Sequence, residues 1–225
     1  MIAVGRTYDQ FCALALALDT VGDRWALLIV RDLLLGPRRF GQLLEGLPGI
    51  GTDILTARLR DLESAGVVAR RQEGRARWYE LTEDGQALIP AMRELAVWGV
   101  RRLLAPPLAD RVPPRAVITA LCLGQVGRLR GADGRYEVRV GPEVATVKVT
   151  GGRLSAAQGE AQDAAARVTL TPAGALALLA GSSLESLAAT GEAEIAGDAT
   201  KAATVLNALA RAGIVDQAVA SLSGA

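Results

Sequence analysis

With 225 residues the chain is long enough for one large domain or two small ones, each able to bury its own core. Its 25 basic and 24 acidic side chains nearly cancel, and residues 1–110 hold 14 of each, so affinity for a polyanion must come from a local cluster rather than bulk charge. The lack of any histidine excludes Ser-His-Asp and Cys-His catalysis, histidine zinc sites and imidazole bases, and two cysteines, Cys12 and Cys122, are too few for a disulfide framework.

Phe11 to Val21 is apolar nearly all round, as expected of a buried or interface helix, and Gly22 stops it. Trp25–Leu35 reads as a second helix ended by Gly36-Pro37. Phe40–Leu47 is a short third helix, followed by the turn Pro48-Gly49. Thr52 is placed to cap a fourth, in which Leu55, Leu59 and Leu62 recur at i, i+4, i+7 and set the core side. Asp53, Ala57, Arg60 and Ser64 lie opposite, with Thr56 at the edge. Gly66 ends that helix, and strands Val67–Arg71 and Arg77–Leu81 flank a hairpin tip at Gln72–Ala76, which makes a wing.

Thr82 opens a long helix with Leu88, Ile89, Met92, Leu95, Ala96 and Leu103 on one broad face. A wing domain of this size cannot bury both that face and the first helix, so a second subunit is the natural cover. Ala105-Pro106-Pro107 and Arg111-Val112-Pro113-Pro114 then mark a stiff linker.

Beyond it Arg115–Gln125 reads as a helix, and Tyr136, Val138 and Val140 alternate with charged residues as a half-buried strand. Ala145, Val147 and Val149 share one face of a second strand, a third lies near Leu154, and Ala166–Leu170 is a fourth. Thr171-Pro172 opens an apolar helix to Ala180, and Ser182 with Glu185 forms a capping box for another. Glu192–Ala196 is a fifth strand, and Asp198 caps a last helix running to Ala212.

Several spaced motifs of the first half carry a resemblance: Gly22-Asp23-Arg24-Trp25 through Arg38-Arg39-Phe40, then Leu55-Thr56-Ala57-Arg58-Leu59, then Arg77-Trp78-Tyr79-Glu80-Leu81-Thr82. Together they resemble the HxlR-type winged helix-turn-helix regulators over roughly residues 10–104. The second half, through Ala166-Arg167-Val168-Thr169-Leu170-Thr171-Pro172 and Gly191-Glu192-Ala193-Glu194-Ile195-Ala196-Gly197-Asp198, resembles the sterol-carrier-protein type 2 fold over about residues 113–213. Members of that fold enclose a hydrophobic tunnel between sheet and helices, and the fold alone names no ligand. The expected fold class is therefore α+β in two domains. A winged helix domain (1–105) precedes a Pro-rich linker (106–114) and a five-stranded sheet with packed helices (115–225).

The resemblance to a winged helix makes Thr52, Asp53, Thr56 and Arg60 candidates for the major groove, with Arg60 forking onto guanine and Asp53 accepting from cytosine. Asp53 serves equally as a complement to the helix N-terminus. Arg75 at the wing tip suits the minor groove and Arg70 and Arg77 suit phosphates, although charges along strands also discourage edge pairing. Arg39 is a candidate phosphate contact, or else a partner of Glu45 or Asp32.

Cys12 stands thirteen residues before Trp25, where several HxlR-type regulators carry a redox-sensing thiol. Here Ala13 follows it instead of the usual proline, no cation shares its turn, and a packed thiol is the competing reading. By alternation or helical spacing, Val138, Val147, Leu170, Leu176, Leu179, Leu184 and Leu206 point to where sheet meets helices, as ligand contacts or as ordinary core.

The expectation is a cytoplasmic, homodimeric transcription regulator that binds double-stranded operator DNA and senses a hydrophobic small molecule, without enzymatic activity, cofactor, metal or membrane association. The rival expectation is a protein that sequesters an apolar compound and keeps its winged helix mainly for dimerisation.

Overall fold

In a computed structural model the described residues are 7–74, 76–100, 114–122 and 129–211. The chain divides into two compact units, Met1–Met92 and Arg93–Ala225.

The N-terminal unit begins with α1 (Ala13–Val21) and α2 (Ala26–Leu33). The two-residue strand β1 (Arg38–Arg39) leads into α3 (Phe40–Gly46), and α4 (Thr52–Ser64) follows. The hairpin β2 (Val68–Glu73) and β3 (Ala76–Leu81) completes a three-stranded antiparallel sheet in the order β1-β3-β2. Ile29, Val30, Leu33, Leu43, Leu47, Leu55, Leu59 and Leu62 form the core, so the i, i+4, i+7 stripe of α4 faces inward as its spacing requires.

Gly66 explains how α4 turns so sharply into the wing. Its φ of +76° is the left-handed conformation that costs glycine little. There the N–H of Gly66 donates to the Glu63 carbonyl at 3.1 Å and that of Val67 to Leu62 at 3.0 Å, closing the helix end.

Thr82 caps α5 (Glu83–Ala87), its Oγ1 accepting from the Gly85 N–H at 3.0 Å and donating to the Gly66 carbonyl at 2.5 Å. The long helix expected from Thr82 is thus two, α5 and α6 (Ile89–Val100). Pro90 is the physical reason, because it has no N–H to give the Gln86 carbonyl and its ring crowds that position. The split also redistributes the apolar face. Met92 is 8% exposed and packs in the core, with Leu88 against it, whereas Leu95 and Trp98 are 51% and 55% exposed.

In the C-terminal unit α7 (Pro114–Cys122) precedes β4 (Gly134–Val140), β5 (Glu143–Thr150), β6 (Arg153–Gln158) and β7 (Ala166–Leu170). Then come α8 (Pro172–Leu179), α9 (Leu184–Ala189), β8 (Ala193–Gly197) and α10 (Ala199–Arg211). The five-stranded sheet runs β6-β5-β4-β7-β8, antiparallel except for the parallel β4–β7 pair. Tyr136, Val138, Val140, Ala145, Val147, Val149, Val168 and Leu170 are buried, the period of two placing them on one face.

Three expectations need correction at the level of caps and exposure. Gly51, not Thr52, is the N-cap of α4, and Thr52 is its first residue. Ser183, not Ser182, caps α9, because the Ser182 N–H donates to the Ala177 carbonyl at 2.9 Å in closing α8. Glu137, one of the charged residues that alternate with Tyr136, Val138 and Val140 and so belong to the strand's outer side, is 5% exposed. It accepts from the Ala161 N–H at 3.1 Å and pairs with Arg139 at 3.3 Å and Arg167 at 3.7 Å, which fastens the β6–β7 loop over the sheet. The linker 106–114 lies outside the described residues apart from Pro114, as do Leu103 and the segment 212–225.

Tyr136 gives the C-terminal unit a predictable pH response. Its buried hydroxyl donates to the Ala132 carbonyl at 2.7 Å, and burial, then Asp198 and Asp133, push the phenol above its ordinary 10.0. The native state therefore holds this proton more tightly than the unfolded chain does. The associated stability is complete below pH 10 and is lost as pH rises through the raised value. Urea melts are expected to show the Tyr136→Phe variant losing less stability than the parent above pH 10, after an offset of about 1 kcal/mol at neutral pH for the lost hydrogen bond.

Candidate nucleic-acid interface

Helix α4 and the wing enclose a groove of about 270 Å³ lined by Phe40, Thr56, Leu59, Arg60, Glu63, Arg70, Arg77 and Tyr79. It exists because α4 presents its non-core side toward the hairpin that its own C-terminal turn launches. The β2–β3 register pairs Arg70 with Tyr79 and Gln72 with Arg77, so these four side chains share the face turned to α4. Three guanidinium groups and one carboxylate thus converge, with Arg70 Nε 4.0 Å from Glu63 Oε2. A narrow site that concentrates positive charge suits a phosphate backbone far better than the balanced whole chain does.

Four candidates read from the sequence, Thr56, Arg60, Arg70 and Arg77, are therefore brought together. Arg60 and Arg77 are exposed, leaving their forked donors available. The Thr56 hydroxyl donates to the Thr52 carbonyl at 2.8 Å, so toward a partner it can only accept. Thr52 and Asp53 stand exposed in the first turn of α4, where Asp53 complements the helix dipole whatever else it contacts.

Arg39 is placed apart from the groove, on the opposite face of the wing sheet. Its guanidinium lies over the Trp78 ring at 4.5 Å from the centroid, and neither Glu45 nor Asp32 is its partner. Asp32 is fully buried and takes a hydrogen bond from Arg31 Nε at 2.9 Å. Arg75 lies outside the described residues. Ile54, which is not among the candidates that helical spacing offers, is exposed on α4. The available signal was its place off the Leu55, Leu59, Leu62 stripe, and an outward apolar side chain there fits a thymine methyl.

Cys12 is an exposed free thiol at the N-cap of α1. Exposed apolar side chains crowd the same helix, Leu14, Leu16 and Leu18 among them, with Phe11 just before it.

In the C-terminal unit, Val138, Val147, Leu170, Leu179, Leu184 and Leu206 are buried and Leu176 is half-buried. Polar side chains are buried in this unit as well, Arg115, Thr119 and Glu137 among them. Thr119 Oγ1 on α7 is buried without a hydrogen-bond partner, and Arg115, one turn earlier and 1% exposed, reaches Glu143 at 3.3 Å. Among the described residues no cluster of His, Cys, Asp or Glu is arranged to hold a metal, and no helix is long and apolar enough to cross a membrane.

The HxlR-like helix-turn-helix family matches residues 20–105. Over 85 residues the chain is 40% identical to the uncharacterized HTH-type transcriptional regulator YvaP of Bacillus subtilis (strain 168), a match covering 36% of this chain and 79% of that protein. It is 44% identical over 91 residues to the HTH-type regulator sll1512 of Synechocystis sp., covering 37% of this chain and 64% of that protein. With Rv3095 of Mycobacterium tuberculosis, of the same description, identity is 42% over 93 residues, covering 40% and 58%. The chain spans less than two thirds of the length of these last two relatives. Among solved structures, the redox regulator HypR in its oxidized form is similar with a TM-score of 0.39 and 30% identity, over 40% of this chain and 96% of that one. On its 40% identity across 79% of YvaP, together with the match over residues 20–105, the chain belongs to the HxlR-like helix-turn-helix family.

Proposed function

We propose that the chain is a cytoplasmic, homodimeric transcription regulator that reads operator DNA through α4 and the wing and answers to an apolar small molecule held by its C-terminal unit. The convergence of Thr56, Arg60, Arg70 and Arg77 on one groove carries the first half of this reading. Arg60 and Ile54 meet base edges, Arg70 and Arg77 meet phosphates, Arg75 reaches the minor groove, and Thr52, Asp53 and Thr56 complete the N-terminal turn of the reading helix. The exposed leucines of α1 and the exposed Leu95 and Trp98 of α6 form the dimer surfaces. A two-fold dimer then reads two half-sites about 34–36 Å apart.

The C-terminal unit, whose described residues include a five-stranded sheet with packed helices of sterol-carrier-protein type 2-like order, supplies the sensing half. What favours it is the Thr119 hydroxyl, a buried polar group without a hydrogen-bond partner, which is suited to the single polar group of an apolar effector. Val138, Val147, Leu170, Leu176, Leu179, Leu184 and Leu206 supply the apolar contacts. Binding biases dimer geometry and so half-site spacing, a coupling of about 1–3 kcal/mol that DNA must return to the effector.

The test is extraction and mass spectrometry of small molecules that copurify with the chain, followed by titration of the extract into operator complexes. Leu179→Trp is expected to remove the copurifying molecule and leave DNA binding in its absence unchanged. An extract with no bound molecule, or one that leaves operator affinity untouched, would refute the sensor half and leave the DNA-reading half standing.

A further inference from the structure

The wing sheet has a second face. Register pairs Arg39 of β1 and Arg71 of β2 with the same residue of β3, Trp78, so the three side chains form one row. The adjacent row, Arg38, Tyr79 and Arg70, lies on the other face, where Tyr79 and Arg70 line the groove and Arg38 is buried.

Arg39 and Arg71 are both exposed, and among the described residues neither guanidinium is held in an ion pair. Arg39 lies on the Trp78 ring, an arrangement that fixes the plane of the cation while leaving the N–H edges of its fork free. Its backbone is fixed too, since the Arg39 N–H donates to Gln42 Oε1 at 2.9 Å at the entry to α3. In helix-turn-helix docking the first helix of the motif crosses the DNA backbone, and α3 is that helix here. Glu80 and Glu73 stand on the same face, one row to either side, so the surface is not broadly cationic. It offers two discrete contacts instead.

We propose that this outer row is a second phosphate-binding surface, with Trp78 as the positioning residue for Arg39 and Arg71 beside it. The proposal rests on the reading of the winged unit as a DNA binder. A minor groove is about 6 Å wide and walled by two backbones. A hairpin entering it turns one face to each wall. Arg70 and Arg77 take the near strand, and Arg39 and Arg71 take phosphates of the far strand.

The experiment measures binding of the full chain to a random-sequence duplex and to the DNA upstream of its own gene across a salt series. Arg39→Ala and Arg71→Ala are each expected to flatten the log K against log salt slope by about 0.9 and to weaken both duplexes by the same factor. Trp78→Phe, which keeps a ring under Arg39, is expected to bind like the parent, while Trp78→Ala weakens both duplexes. Parent slopes in Arg39→Ala and Arg71→Ala, with flattening confined to Arg70→Ala and Arg77→Ala, would overturn the proposal and leave the groove reading intact. A parent that binds neither duplex fails the DNA-binding reading itself, and this inference falls with it.

Discussion

Replacing Leu14 and Leu18 of α1 together with glutamate is expected to give a folded monomer that has lost tight operator binding. Both side chains are exposed, whereas Ala15 and Val21 are the buried residues of α1, so the substitutions leave the core untouched. Two carboxylates placed in an apolar interface lose their hydration without gaining partners, which opposes association strongly. Once the second reading helix is no longer tethered, operator affinity should fall by about 10²–10⁴-fold. Light scattering and an operator titration on the same sample check this. A dimer that persists would place the interface elsewhere. Met92, which the sequence pattern offered for the same role, would be the wrong choice, since it is packed in the core and a charge there would unfold the unit.

The second large effect is expected at the groove. Arg60→Ala should cost about 1–3 kcal/mol on the cognate site and relax the preference at one base position, because a bidentate guanine contact is lost. Arg77→Ala should weaken cognate and unrelated DNA alike and flatten the salt slope by about 0.9, the signature of one lost phosphate contact. Binding measured on a panel of single-base operator variants separates the two. If Arg60→Ala weakens every variant equally, Arg60 holds backbone and the base reading lies with its neighbours on α4.

Much of this architecture was legible because it follows from periodicity and stop signals. The Leu55, Leu59, Leu62 stripe fixed which side of α4 is buried, and that decision alone places Arg60 outward. Ala166–Leu170 emerged with its limits as read, since its alternation is bounded by turn and cap signals. Local competition defeated the finer detail. Ser182 and Ser183 are both competent caps, and only the closing hydrogen bonds of α8 decide between them. Strand β1 is two residues long, too short for any period to register, yet it carries Arg39 to Trp78. Glu137 looked like an ordinary outward position. A loop distant in sequence covers it, and no local pattern reports such a cover.

The candidate site divides in the same way. That Arg60 points outward follows from the apolar stripe of α4 and could be read from spacing, whereas its meeting with Arg70 and Arg77 in one groove depends on the register of the hairpin. That the Thr56 hydroxyl already donates a hydrogen bond to the Thr52 carbonyl, and that Arg39 lies across the sheet from the groove, depend on rotamers and strand register, which composition does not encode.

The most direct measurement is a hydroxyl-radical footprint of the parent chain on the DNA upstream of its own gene. Two protected patches are expected about 10 base pairs apart, related by two-fold symmetry and both lost in the Arg60→Ala, Arg77→Ala double variant. A single unpaired patch, or protection that survives in that variant, would contradict the proposed DNA reading.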